Sequence, residues 1–125
     1  MRPAFRLLRP SHPMLSIIGA ALCTAMGLLG VLAPNRAARL VSIHPIGGLG
    51  VSEIRATYGG LFLAMGVTCL VIESPDAYLI AGASWIGAGL LRFPSLVLDK
   101  GSFPKALGGA ALELTIGALL LTGAA

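Results

Sequence analysis

Met14–Ala33 is a run of 20 residues without a charged side chain, bounded by Pro13 and Pro34. About 20 apolar residues wound as a helix cover the ~30 Å hydrocarbon core of a bilayer. A secretory signal peptide is the competing reading, because Arg2, Arg6 and Arg9 precede the run. Signal peptides carry shorter apolar cores of about 7–15 residues. The run is therefore read as a transmembrane span. Composition extends that reading to the whole chain. Only 11% of its 125 residues are charged and 56% are hydrophobic, with a mean hydropathy of +0.89. Soluble domains carry about 25% charged residues. A disordered chain, a typical soluble enzyme and a disulfide scaffold are excluded, and a small integral membrane protein remains.

Four spans of about 20 residues use about 80 residues, which leaves short tails and loops and no room for a second domain. The chain reads as one all-α transmembrane domain over residues 1–125, a four-helix up-down-up-down bundle with both termini on one side. The expected spans are about 14–33, 54–72, 77–98 and 105–122. The connector after the first span carries Arg36, Arg39 and His44-Pro45, read as a turn. Arg36–Ile43 reads as a short interfacial helix with Leu40, Val41 and Ile43 dipping into lipid. Gly47-Gly48-Leu49-Gly50 reads as a turn, because Glu53 stands where a dinucleotide fingerprint needs its third glycine. Glu73-Ser74-Pro75-Asp76 is a compact turn, which makes spans two and three an antiparallel hairpin. Pro94 is expected to bend or end the third span.

The net formal charge is +4. The cations lie scattered near span ends, where they suit lipid headgroups and orientation signals. His12 reads as a further headgroup contact. No basic face for nucleic acid can form; the bilayer itself is the expected surrounding. The N-terminal side carries Arg2, Arg6 and Arg9 and the opposite side Arg36, Arg39, Lys100 and Lys105, so orientation stays open. Cys23 and Cys69 lie in apolar runs without CxxC spacing and read as reduced packing residues.

Charged groups at the bilayer centre cost at least ~2.5–3.5 kcal/mol on insertion scales, so those inside spans need partners. Four qualify: Glu53, Arg55, Arg92 and Glu113. At 1.5 Å per residue, Arg92 lies about 9 Å below Leu98 and Glu113 about 12 Å below Lys105. Arg55 opens the second span on the same side. All four are expected to meet in one half of the bundle as a neutral buried cluster, with Tyr58 one turn from Arg55. Small residues on a shared stripe mark close helix packing. Gly59, Gly60 and Gly66 on span two, Gly89 on span three, and Gly109 and Gly117 on span four are the expected packing positions. Arg55, Gly59, Phe62 and Gly66 share a face at 3.6-residue spacing.

Three readings of the cluster compete. It is a staple that fixes helix register, or a polar site for a small ligand, a lipid head or a proton, or a catalytic centre. The spans hold no histidine, no cysteine near the cluster and no set of metal ligands. No catalytic residue, metal or cofactor is therefore expected, and the chain is read as a non-enzyme.

Glu53-Ile54-Arg55-Ala56-Thr57-Tyr58-Gly59-Gly60-Leu61, with Gly89-Leu90-Leu91-Arg92 and Leu112-Glu113-Leu114, resembles the bacterial domain-of-unknown-function 4345 family of small four-span membrane proteins. The resemblance covers roughly Val51–Thr122; the first span matches only in apolar character. It implies the four-span fold and the charged positions but assigns no activity. The architecture is also similar to DoxX-like four-helix membrane proteins, some of which partner redox enzymes. The basic leader and the long Arg36–Gly50 connector exceed a minimal member and suit contact with other subunits. The expectation is an accessory subunit of a membrane assembly, in a bacterial inner membrane. The alternative is a bundle that binds or transports a small ligand, lipid or proton through the same cluster.

Overall fold

A computed structural model describes residues 13–100 and 103–125. The leader with Arg2, Arg6, Arg9 and His12 and the middle of the last loop lie outside the described residues. Helix α1 runs Pro13–Leu32. It stops where Pro34 removes a backbone donor and forces Ala33 out of helical geometry (φ −138°, ψ 64°). The same proline opens α2, Pro34–Leu40, because the first helical turn needs no donor there. Relative to the short helix expected at 36–43, α2 starts two residues earlier and ends three earlier. Its Ala37 and Ala38 pack on Ile54, while Leu40 stays exposed.

Helix α3 spans Gly47–Ile72, 26 residues, and corrects one expectation. The Gly47–Gly50 stretch is not a turn but the first turn of this helix. Glycine costs ~1 kcal/mol per helical residue. The stretch is helical nonetheless, with the Gly50 N–H donating to the Ile46 carbonyl at 3.1 Å. Within α3, Arg55–Leu61 winds as a π-helix before α-helical geometry resumes at Phe62.

Helix α4 runs Pro75–Leu98. Its start carries every local signal. The Ser74 side chain accepts from the Ala77 N–H at 3.2 Å, Pro75 opens the first turn, and Asp76 lies against the helix dipole. Pro94 does not end it; the helix continues to Leu98. Helix α5 runs Phe103–Leu121 and closes in a 3₁₀ turn at Thr122–Ala124. Four segments are long and apolar enough to cross a membrane: α1, α3, α4 and Phe103–Ala124.

Close contacts fix the topology. Gly66 of α3 lies against Thr24 and Gly30 of α1 against Tyr58 and Gly59 of α3, so these helices are antiparallel. Gly19 meets Leu119 and Leu120, while Gly123 meets Ser16, so α1 and α5 are antiparallel too. Gly82 meets Leu121 and Gly89 meets Leu114, which gives the same relation for α4 and α5. The result is an all-α, up-down-up-down bundle in the order α3–α1–α5–α4. Cys23, Tyr78, Trp85, Ile116 and Leu120 form its buried centre. Helices α3 and α4 join at the Glu73-Ser74 turn and keep contact up to the Phe62–Trp85 ring pair, 4.7 Å between centroids. Beyond that pair they diverge.

Candidate functional site

The divergence opens a groove of about 730 Å³ at the end of the bundle away from the Glu73-Ser74 turn. That volume lies inside the range of about 300–1,000 Å³ typical of ligand pockets. Phe62, Trp85 and Met26 line its inner part; Ser42, Asp99 and Lys105 stand at its outer part. Tyr58, Arg92 and Glu113 line the wall between. The Arg92 and Glu113 side chains form a two-pronged ion pair. Nε donates to Oε2 at 3.0 Å and Nη2 donates to Oε1 at 2.7 Å. The planar guanidinium matches a carboxylate in this geometry. Gly109 makes it possible: a Cβ there would stand 3.2 Å from the Arg92 Cζ.

The expected buried four-charge cluster is corrected in two respects. Among the described residues no charged side chain is buried. Arg92 and Glu113 keep 36% and 14% of their side chains exposed. The four charges also do not converge. Arg55 donates from Nε to the Val31 carbonyl at 3.2 Å, one of the carbonyls that the end of α1 leaves without a helical partner. A cation at a helix C-terminus is favourably placed. Glu53 is exposed and lines no part of the groove. The reason is the helix that this face meets. Arg55, Gly59 and Gly66 share the expected face, and it lies against α1, on Val31, Gly30 and Thr24, rather than toward Arg92 and Glu113.

The packing glycines divide similarly. Gly59, Gly66, Gly89 and Gly117 lie where an added Cβ would meet a neighbouring helix closer than 3.0 Å. Gly60 does not; it is exposed, and the nearest atom to its Cβ position is the Arg55 carbonyl oxygen at 4.0 Å. The tightest approaches to neighbouring backbone belong to Gly27 and Gly30 of α1, which press on Leu63 and on Tyr58-Gly59. Sequence reasoning missed both, although with Gly19 and Cys23 they form a small-residue stripe at helical spacing. It also missed Phe62, Asp99 and Lys105 as groove residues. The last two flank the third loop, and that was a usable signal. Cys23 and Cys69 are free and buried. The Cys23 thiol receives the Trp85 indole N–H at 3.3 Å and donates to the Phe62 carbonyl at 3.3 Å, which holds the inner end of the groove.

Charge is distributed unequally between the ends. Arg36, Arg39, Arg55, Arg92, Lys100 and Lys105, all the Lys and Arg of the described residues, belong to the groove end, and Glu73 and Asp76 to the other.

Comparison with known proteins gives one family. No curated protein and no solved structure matches the chain. The family model described as Domain of unknown function (DUF4345) matches residues 13–124, all four membrane-capable helices included. The chain therefore belongs to the DUF4345 family.

Proposed function

We propose that this protein is a non-catalytic membrane bundle that holds a small ligand in the groove between α3, α4 and α5, in a bacterial inner membrane. One observation carries the reading: a cavity of ligand size whose wall presents the Arg92–Glu113 pair and the Tyr58 ring. A pair serving only as a staple gains nothing from such an opening, and packed helices tend to close small voids. Arg92 has five N–H donors, and Glu113 takes two of them.

Gly108 supplies the test. It lines the groove, and a Cβ there meets nothing within 4 Å. Gly108→Phe fills the space without displacing backbone. Native mass spectrometry of nanodisc-embedded protein should show a retained small molecule in the wild type and none in the variant, at matching thermal stability. Identical spectra for both would count against the reading.

A second reading, the accessory subunit, is supported by the outer face of α4. Ala83 and Gly87 are exposed there at i, i+4, and a Cβ on Gly87 meets nothing within 4 Å. Small residues of this kind allow close helix approach. Stoichiometric partners recovered in mild detergent, and lost with Gly87→Leu, would support it; a partner-free protein in several detergents would not.

A further inference from the structure

We infer that the groove takes one acyl chain of a phospholipid whose head carries both a phosphate and a primary ammonium. The inference rests on the ligand reading above and names the ligand class. Length is the first argument. From Trp85 at the inner end to Asp99 at the outer end, α4 advances 14 residues, about 21 Å at 1.5 Å per residue. Half of a bilayer including its headgroup region is about 20–22 Å. The groove therefore reaches from the headgroup layer to the membrane midplane, the depth of one lipid in one leaflet. Its volume of about 730 Å³ suits a single chain and not the whole of a two-chain lipid.

Polarity is the second argument. The inner part is apolar and aromatic, with Met26, Phe62 and Trp85. The outer part carries Lys105 and Asp99. Among the described residues neither forms an ion pair, and Arg92 and Glu113 satisfy each other. What remains for a head is one cation and one carboxylate, together with the outer donors of Arg92. A purely anionic head would face Asp99, and a purely cationic one would face Lys105. A head with both signs matches both. The primary ammonium follows from Asp99, which accepts hydrogen bonds and donates none. A trimethylated ammonium offers no N–H.

Trp85 is the only tryptophan, so its emission reads groove occupancy. The protein is reconstituted in dioleoylphosphatidylcholine vesicles containing a dibromo-acyl phosphatidylethanolamine, phosphatidylglycerol or phosphatidylcholine, since bromine quenches tryptophan on contact. The expected result is saturable quenching that favours the ethanolamine head about threefold to fivefold, the weight of one exposed ion pair. Asp99→Asn should remove the advantage over phosphatidylglycerol, and Lys105→Gln should weaken all phosphate heads. Both residues are exposed, so these variants keep the fold, checked by helical circular dichroism. Equal quenching by the three heads, saturable in the wild type and abolished by Gly108→Phe, overturns the headgroup assignment and leaves the ligand groove standing. Quenching that never saturates and ignores Gly108→Phe overturns both.

Discussion

The two ends of the bundle use the same four helices and reach opposite outcomes. At the Glu73-Ser74 end the centre is closed; Tyr78 and Leu120 are fully buried, and Gly123 lies directly against the Tyr78 ring and Ser16. At the other end α3 keeps to α1 while α4 keeps to α5, and the groove lies between the two pairs. The difference lies in what joins the two helix pairs. At the closed end Gly19 meets Leu119 and Leu120 and Gly123 meets Tyr78 and Ser16, while the remaining close-packed glycines act within a pair. Gly27 and Gly30 draw α3 onto α1 up to the Tyr58 level. Gly89 and Gly117 draw α4 onto α5. No close-packed glycine joins the α3–α1 pair to the α4–α5 pair near the groove, and the opening lies there.

The comparison can be broken at its strongest point first. Gly30→Leu places a side chain on the backbone of Tyr58 and Gly59, and overpacking of this kind costs roughly 1–3 kcal/mol or more. It should separate α1 from α3 and give the largest loss of melting temperature in detergent. Substituting Gly87, at an open position, should leave that temperature unchanged.

Next in size is the ion pair. Arg92→Leu or Glu113→Leu alone strands a charge in the membrane, whereas the double change removes both charges. If the pair is structural, the double variant should be more stable than either single one by thermal unfolding. Equal loss of ligand retention in all three, at restored stability in the double, would place the pair in the site.

Smaller still is Arg55→Gln. The guanidinium caps one carbonyl at the end of α1, an interaction of about 0.3–1 kcal/mol. A slight loss of stability with unaltered ligand retention is expected. A large loss of retention would return Arg55 to the groove.

Much of this architecture was legible before any coordinates. The apolar runs, the bounding Pro34 and the turn at Glu73-Ser74-Pro75-Asp76 set the number and order of helices, because membrane backbone has few alternatives to a helix. The Arg92–Glu113 pair was legible from depth, since α4 and α5 are regular α-helices around it. Arg55 was not. It shares the face of Gly59 and Gly66, as its spacing implies, but spacing does not say which neighbouring helix that face meets, and the neighbour is α1. The helical start at Gly47 was hidden because local glycine propensity opposes it.

The π-helical winding at Arg55–Leu61 has a consequence for sequence change. Each of its hydrogen bonds encloses one residue more than an α-helical bond. Deleting a residue from an ordinary stretch of a span rotates everything beyond by about 100° and misaligns the packed face. Deleting Gly60, whose Cβ position is open, instead lets the segment relax to α-helix with both flanks close to their present register. A chain lacking Gly60 should insert and keep its helix content by circular dichroism, whereas one lacking Gly66 should not. Segment 55–61 is then a place where length variation is tolerated in the middle of a membrane helix.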